Sequence, residues 1–348
     1  MKRGRMVIVS LVLSLVLSGC QRTEELSSEA KTSKDDNIQI GVSFDTFVVE
    51  RWQRDRDIFV DRVKELGAEV NVQSANGSAK EQKEQIDYFI EQKMDVIVIV
   101  AIDSDVIQGS VKRALAQGIK VIAYDRLIPN ANVDLYISFD NEKVGELMAQ
   151  ALIDNNKEGG NIIGIFGPTS DNNVLLVMEG FTEAIRESSL NLIYTTNAEG
   201  WLAEQAFTAV NDAIEYVTKN GNITIDGVMC GNDNLATQAV LALSEHRLAG
   251  QVSLVGQDAD LNACQRIVEG TQTMTVYKPV DILAKAAAEY AVSLGKGESL
   301  EITDTFNDGI YDIPYQKLDP IAVTVDNIDA VIIDGGFHLR EDVYLNVN

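Results

Sequence analysis

Short apolar runs rich in β-branched residues alternate with helix-length segments along most of the chain. The run DVIVIVAI at 95–102 is continuous, which is typical of a strand covered on both faces of its sheet. In an earlier segment Trp52, Phe59 and Leu66 recur at helical spacing and predict a helix with one buried face. Because alternating strands and helices form parallel sheets with right-handed crossovers, the chain is predicted to adopt an α/β fold.

Ten strands are predicted, in two sets of five. The first set comprises 38–44, 68–73, 95–102, 120–125 and 134–139, and the second comprises 161–167, 191–196, 226–231, 251–256 and 271–277. Each set predicts a doubly wound, Rossmann-like lobe, and two such lobes suit a chain of 348 residues. No segment rich in Pro and Gly separates the sets, so the junction near Asp140 and Asn141 is predicted to be a short hinge.

The first twenty residues have the pattern of a secretion signal. The leading MKRGR is basic, and the apolar run after it is shorter than the roughly 20 residues that a membrane-spanning helix needs. The sequence LSGC at 17–20 resembles the lipobox of bacterial lipoproteins, which implies cleavage before Cys20 and lipidation of its thiol. The alternative is an ordinary signal peptide with a chance cysteine. We predict a signal peptide at 1–19 and, at 20–37, a lipidated cysteine with a polar spacer that holds the protein at the outer face of the cell membrane.

Charge and motif content exclude several classes of protein. The formal net charge of −24 argues against nucleic-acid binding, which needs a basic surface. His246 and His338 lie in no metal-ligand spacing, and no phosphate loop, dinucleotide fingerprint or nucleophile elbow is found. We therefore predict a protein that is not an enzyme and has no cofactor or metal. Cys230 and Cys264 could pair in an oxidising compartment, although two buried thiols are favoured.

Polar and aromatic residues follow the predicted strands, and open parallel sheets bind their ligands beyond the carboxyl ends of their strands. In the first set these residues are Arg51, Trp52, Asp103, Asp105, Asp125 and Arg126. In the second set they are Asp171, Asn172, Asn173, Trp201, Asn232, Asp233, Gln257, Asp258 and Lys278. Planar polar groups dominate, and both tryptophans of the chain are included, one in each half.

These side chains together suit one class of ligand. Planar polar groups can bind vicinal hydroxyls through cooperative, charge-assisted hydrogen bonds, and flat aromatic faces cover the C–H faces of a sugar ring. The sequence therefore predicts a site for a small neutral polyol. Each residue also has a structural alternative: Asp and Asn after strands often cap helices, Arg51 and Lys278 could be surface charges, and the tryptophans could be core residues.

Several strings of the sequence resemble one family. They are ERWQRDRDIFV at 50–60, VQSANG at 72–77, AYDR at 123–126, YISFDNEKVGEL at 136–147, GQDADL at 256–261 and GTQTMTVYKP at 270–279. Together they resemble the bacterial periplasmic D-xylose-binding proteins, which belong to the ribose-type (type I) periplasmic binding proteins. The resemblance covers nearly all of 38–348 and implies two lobes that are joined by three crossovers and close on a sugar.

The resemblance also implies lobe boundaries and sugar contacts. The N-terminal lobe would comprise 38–140 and about 279–320, and the C-terminal lobe 141–278 and about 321–348. The implied contacts are Arg51, Trp52, Asp125 and Arg126 from the N-terminal lobe, and Asn173, Trp201, Asn232 and Asp258 from the C-terminal lobe, with Lys278 near the hinge. The transfer to Asn173 depends on the length of the loop before it, GPTSDNN, matching the family pattern, and a different length leaves Asn172 as the alternative.

The implied function is capture of D-xylose by a monomeric receptor that delivers it to an ABC-type permease. One alternative keeps the site but docks the protein on a membrane sensor kinase. Another is a glycoside-processing enzyme with Asp125 and Asp258 as acid and base. Such an enzyme needs one carboxyl with a raised pKa, whereas Arg126 beside Asp125 favours the ionised form. A sugar-responsive repressor is excluded because a signal peptide and acidic spacer occupy the place of its helix-turn-helix.

Overall fold

Two β-sheets, each flanked by helices, form the framework of the protein. The computed structural model describes residues 37–48, 50–219 and 224–347, and the chain from Asn37 onward forms one unit. Residues 1–36 lie outside the described residues. The signal peptide, the lipidation of Cys20 and most of the spacer therefore stay predictions.

The secondary structure alternates between strands and helices up to residue 295, except that β4 and β5 follow one another without a helix. In chain order the strands are β1 Gln39–Phe44, β2 Glu69–Ser74, β3 Val96–Ile99, β4 Lys120–Tyr124, β5 Leu135–Phe139, β6 Gly160–Phe166, β7 Leu190–Asn197, β8 Gly227–Cys230, β9 Ser253–Gln257, β10 Met274–Tyr277, β11 Thr305–Asn307, β12 Asp312–Leu318 and β13 Ile321–Val323. The helices are α1 Glu50–Glu65, α2 Ala79–Glu91, α3 Ser104–Ala116, α4 Asn141–Asn155, α5 Asn172–Arg186, α6 Glu204–Lys219, α7 Asp233–Glu245, α8 Leu261–Glu269, α9 Val280–Gly295 and α10 Arg340–Val343. A 3₁₀ turn spans Glu199–Trp201, and a π-helical turn spans Asp329–Ile333.

The first sheet has the strand order β11-β12-β5-β4-β3-β1-β2. Val96 and Val98 of β3 pack in a core cluster with α1 and α9, whereas Ile97 and Ile99 pack in another with α2 and α3. Both faces of this strand are therefore buried, which explains its continuous apolar sequence. We call this sheet with α1, α2, α3 and α9 the first lobe.

The second sheet has the strand order β13-β10-β9-β8-β6-β7. Ile162 of β6 packs in a cluster with α4 and α5, and Ile163 packs in one with α6 and α7. A further cluster joins α8, the π-helical turn and α10 around Ile332 and Val343. We call this sheet with its helices the second lobe.

The chain passes between the lobes three times. It crosses after β5 at Asp140, after β10 at Lys278, and between β12 and β13 at Asp319 and Pro320. Because β5, β10 and β12 each end directly before one of these crossings, both lobes present the carboxyl ends of their parallel strands toward the same region.

The α/β class with two doubly wound sheets is confirmed, and all ten predicted strands are present with shifted ends. The expectation of entirely parallel sheets is wrong at two edges, where β11 pairs with β12 and β13 pairs with β10 in antiparallel fashion. These three strands carry weak signals. Two are only three residues long, and β12 contains Pro314, which is uncommon inside sheets.

Two further features concern the cysteines and the membrane. Cys230 in β8 and Cys264 in α8 are both buried thiols with no disulfide between them, as the sequence favoured. Within the described residues, no helix combines the length and the apolar character that crossing a bilayer requires.

Candidate binding site between the lobes

A cleft of about 390 Å³ lies at the carboxyl ends of strands from both lobes. Its lining includes all nine residues that the family resemblance implied as sugar contacts, which are Arg51, Trp52, Asp125, Arg126, Asn173, Trp201, Asn232, Asp258 and Lys278. Asp103 and Asp105 are not part of the lining. Asp103 instead caps α3, where its carboxylate accepts hydrogen bonds from the backbone N–H groups of Asp105 and Val106.

Helix α1 delivers Arg51 and Trp52 to the cleft from its first turn, directly after β1. Both side chains are buried, and the Arg51 guanidinium lies over the Trp52 ring with 4.4 Å between its carbon and the ring centroid. A guanidinium over an indole face is an attractive cation–π arrangement. The indole therefore helps to fix the arginine as well as shaping the cleft wall.

Asp125 turns into the cleft because the backbone changes direction where β4 ends. Its φ is 64°, in the left-handed region, and its carbonyl accepts a hydrogen bond of 2.6 Å from the hydroxyl of Ser138. The carboxylate accepts a short hydrogen bond from Arg51 Nη2. Burial alone would raise the pKa of Asp125, but the neighbouring Arg51, Lys278 and Arg126 outweigh it and lower that pKa, so the group is ionised.

Arg126 joins the two lobes through carboxylates on either side. Its Nη1 lies 2.8 Å from an oxygen of Asp45 in the first lobe, and its Nε lies 3.0 Å from an oxygen of Asp171 in the second lobe. Nη1 also donates to the carbonyl of Ala101 at 3.0 Å. Burial raises the pKa of Asp171 although Arg126 opposes that rise.

Asn173 also contacts the opposite lobe. Its Nδ2 donates to the carbonyl and to the carboxylate of Asp125, at 3.0 and 3.1 Å. Asn173 lies in α5, and Asp171 caps this helix because its carboxylate accepts a hydrogen bond of 3.0 Å from the Asn173 backbone N–H. The alternative residue Asn172 is not part of the lining, and its buried Nδ2 has no hydrogen-bond partner among the described residues.

Asn232 both caps a helix and lines the cleft. It is the N-cap of α7, where its Oδ1 accepts from the backbone N–H of Leu235 at 2.8 Å, and it lines the cleft. Since the cap uses only the oxygen, the amide NH₂ is the part that can serve a ligand.

Trp201 reaches the cleft from the 3₁₀ turn after β7, with φ at 58°. Its ring lies against the backbone at Gly167 and Gly231, which follow β6 and β8. A Cβ at Gly167 would come within 2.7 Å of the indole Cζ3, and one at Gly231 within 3.2 Å of the same atom. Glycine at both positions therefore makes room for the indole.

Asp258 and Lys278 close the far side of the cleft. Asp258 has φ at 97° and Ala259 has φ at 54°, so the backbone after β9 makes an unusual turn. Lys278 Nζ lies 2.9 Å from Asp258 Oδ1, and Arg51 Nη1 lies 3.9 Å from the same oxygen. One carboxylate thus meets a cation from the hinge crossing and another from the first lobe.

Further polar residues of the cleft are not among the nine implied contacts. Asp171 and Gln257 were predicted at the ends of their strands, whereas Asp45 and Asn141 were not predicted as site residues. Asp45 directly follows β1, and this position is the sequence signal that indicates it. The ion pairs to Arg126 could not be read from sequence, since they join residues far apart in the chain.

The cleft retains unused hydrogen-bonding groups. The Nε1 of Trp201 and the Oε1 of Gln257 are buried and have no hydrogen-bond partner within the described part of the chain. Buried polar atoms are usually paired, so these two are candidates to meet a ligand. Across residues 37–48, 50–219 and 224–347, no group of three or more His, Cys, Asp or Glu is placed to hold a metal ion.

Known proteins resemble the chain over most of its length. Residues 40–299 match the family described as "Periplasmic binding protein domain". The D-xylose-binding periplasmic protein of Haemophilus influenzae is 44% identical over 321 residues, which cover 91% of this chain and 95% of that protein. The D-xylose-binding periplasmic protein of Escherichia coli is 41% identical over 341 residues, which cover 97% of this chain and 98% of that protein.

A solved structure shares the architecture. It is an ABC transporter solute binding protein from Clostridium phytofermentans with bound β-D-glucose. The TM-score is 0.79 and the identity 26%, and the match covers 88% of this chain and 99% of that one.

Proposed function

Because the chain belongs to the family of periplasmic binding proteins, we propose that it is a receptor that binds D-xylose between its lobes and delivers it to an ABC-type permease. Family membership confirms two sequence-based predictions, a type I periplasmic binding protein fold and a binding protein rather than an enzyme. The observation that carries the proposal is a cleft between the lobes that gathers all nine candidate contacts.

The cleft presents oriented donors and acceptors to a neutral polyol. The carboxylates of Asp125 and Asp258 accept hydrogen bonds from sugar hydroxyls, and Arg51 and Lys278 donate to sugar oxygens. Such charge-assisted bonds are stronger than neutral ones. Because Arg51 is paired with Asp125 and Lys278 with Asp258, an uncharged ligand adds no charge that these pairs would have to compensate.

Contacts from both lobes couple binding to closure. A ligand shifts a conformational equilibrium only by its differential affinity for the two states. A sugar that touches Asp125 in the first lobe and Asn232 in the second gains its full set of contacts only when the lobes are together. We propose that the permease recognises this closed arrangement.

The indole rings set the size of the sugar in this proposal. Trp52 and Trp201 are fixed, the first by Arg51 and the second by its fit against Gly167. We propose that one ring fills the space that the CH₂OH group of a hexose would need, which favours a pentose. The relatives named for D-xylose support this choice.

The anchor and the partner are part of the proposal. Lipid on Cys20 holds a monomeric receptor at the outer face of the membrane beside its permease. Cys20→Ser is expected to move the protein from the membrane pellet to the soluble fraction after cell lysis, as measured by immunoblotting. Cys264→Ser, at a buried thiol, is the control and stays with the membrane. A Cys20→Ser protein that still pellets would contradict the lipid anchor.

A fluorescence titration tests the binding function. The chain has two tryptophans, both in the cleft lining, so a true ligand changes their emission in a saturable way. The full-length protein in detergent is titrated with xylose, ribose, arabinose, glucose and galactose. A saturable response to xylose alone supports the proposal, and a response to a different sugar corrects the ligand. If none of the five sugars changes the fluorescence or gives a calorimetric signal with folded protein, the proposal is wrong.

A further inference from the structure

Asp55 lies behind Arg51 and away from the cleft. It is four residues further along α1, its side chain is fully buried, and it is not part of the cleft lining. Its Oδ2 lies 3.6 Å from Arg51 Nε. Its Oδ1 accepts a short hydrogen bond from the hydroxyl of Tyr124, which is also fully buried.

The arginine and this aspartate form an incomplete pair. Neither Arg51 Nε nor Asp55 Oδ2 has a hydrogen-bond partner among the described residues, although they lie opposite each other. A buried polar atom without a hydrogen-bond partner is costly, so an approach of Arg51 Nε to Asp55 Oδ2 would stabilise both atoms. The other side of the guanidinium meets Asp125 and Asp258, the carboxylates that line the cleft.

We propose that Asp55, held by Tyr124, is a positioning residue that fixes the Arg51 guanidinium in its sugar-binding orientation, and that sugar binding is therefore coupled to the ionisation of Asp55. This inference rests on the proposed function. Asp55 acts through Arg51 and does not touch the ligand.

The surroundings of Asp55 raise its pKa into the pH range of a binding experiment on folded protein. Burial raises its pKa to about 6, against the opposing effects of Arg51 on the same helix and the Tyr124 hydroxyl from β4. Asp125 raises this pKa further, and Lys278 from the hinge crossing lowers it. When Asp55 is protonated, Arg51 keeps only the carboxylates that face the cleft and is drawn toward them.

The sign of the pH effect follows from this arrangement. The sugar-bound form requires the ionised Asp55, so affinity is complete above the pKa of Asp55 and declines as the pH falls through about 6. By the same linkage, sugar binding lowers the pKa of Asp55. A carboxylate that only stabilised the core would change the unfolding temperature with pH and leave the affinity of folded protein constant.

Calorimetric titration of the full-length protein with D-xylose between pH 5 and 8 tests the inference. For the unmodified protein we expect affinity to fall about fivefold from pH 8 to pH 5, which approaches the limit of about tenfold that one pKa unit of coupling allows. Asp55→Asn is expected to bind weakly at every pH with a flat profile. Tyr124→Phe removes a hydrogen bond to the ionised carboxylate, so the midpoint of its profile moves to higher pH.

Asp57→Asn is the matched control, because it makes the same substitution on an exposed side chain of the same helix. It is expected to change neither the affinity nor the pH profile. If Asp55→Asn does not fold, the midpoint of Tyr124→Phe still decides the question. A decline in affinity that persists in Asp55→Asn overturns the inference and assigns the effect to Asp171, whose pKa burial also raises.

Two other outcomes distinguish a failure of the inference from a failure of the proposed function. A flat profile for the unmodified protein, with normal xylose binding, overturns the inference and leaves the proposed function intact. Failure of the unmodified protein to bind any sugar contradicts the proposed function, and the inference falls with it.

Discussion

The charges around the cleft alternate in sign, so each carboxylate has a cation beside it. Arg51 contacts Asp125, and Lys278 lies 2.9 Å from Asp258. Removing one such group by mutation leaves its partner buried with less compensation, which costs more than the contact itself contributes. The loss of affinity after a single substitution here therefore contains both the lost ligand contact and the penalty on the partner that stays behind.

Asp125→Ala is expected to weaken D-xylose binding by about 2–4 kcal/mol, because sugar hydroxyls and Arg51 both lose a charged acceptor. Isothermal titration calorimetry measures the change. Asp103→Ala is the matched control, since Asp103 also follows a strand of the same sheet but caps α3 outside the cleft lining. Unchanged affinity in Asp125→Ala would remove this carboxylate from the site.

Replacing the indole that excludes hexoses is expected to admit glucose. Trp52→Ala and Trp201→Ala are compared, and one of them should bind glucose with measurable affinity while retaining some xylose binding. Calorimetry with both sugars gives the selectivity. Leu202→Ala, an exposed side chain beside Trp201 in the cleft lining, is the control. If both tryptophan variants lose xylose and still exclude glucose, the indoles do not set the size limit.

The candidate residues reach one cleft because the rule that selects most of them is positional. Asp125, Asp258 and Lys278 each come directly after a recognisable strand, and parallel strands bring such positions to one edge. Asp55 could not be found this way, since it lies inside a helix and its role depends on contact with Tyr124. Its spacing of four from Arg51 is the one sequence signal that connects them.

At the scale of elements, the strength of the pattern decided what could be predicted. The ten strands found from sequence are mostly continuous apolar runs of four or more buried residues, whereas β11 (TFN) and β13 (IAV) are too short to show a period. The turn that carries Trp201 was also missed. Gly200 and Trp201 have positive φ there, and the indole lies against Gly167 and Gly231, which are distant in the sequence and leave no local signal.

The hairpin of β11 and β12 holds the loop between β4 and β5 through one buried residue. The carboxylate of Asp308 accepts hydrogen bonds from the backbone N–H groups of Ala131 and Asn132, at 3.0 and 2.9 Å. It also accepts from those of Ile310 and Tyr311 in its own turn, at 3.0 and 2.8 Å. A late segment of the chain thereby fixes a loop of the first lobe.

Asp308→Ala is expected to lower the free energy of unfolding by about 2–4 kcal/mol, because four backbone N–H groups lose their charged acceptor. Burial alone would raise the pKa of Asp308, but these backbone bonds outweigh it and lower that pKa. Its stabilising effect is thus present above about pH 4, the unfolded value, and is lost as the pH falls through the lower folded value. Urea unfolding at pH 7 and pH 3 measures both, with exposed Asp312→Ala as the control. Equal destabilisation by the two variants would contradict this role.

At the scale of the whole molecule, the side chains that line the cleft also connect the lobes. Asn173 of the second lobe donates to Asp125 of the first, and Arg126 of the first lobe meets Asp171 of the second. The residues that would bind a sugar and the residues that hold the lobes together are therefore the same group or its neighbours. Affinity and closure should respond together when these contacts are changed.

Asp171→Asn tests how much the ion pair between the lobes contributes to closure. Arg126 loses its ion pair across the cleft but keeps Asp45 and the Ala101 carbonyl, so we expect a loss of about 1–3 kcal/mol in xylose binding. Small-angle scattering at saturating xylose should show a larger radius of gyration than for the unmodified protein, because fewer molecules are closed. Lys317→Gln is the control, since it breaks a more exposed pair with Asp140 at a lobe crossing and should cost less than about 1 kcal/mol. Weaker binding with an unchanged radius would assign Asp171 to the sugar contacts alone.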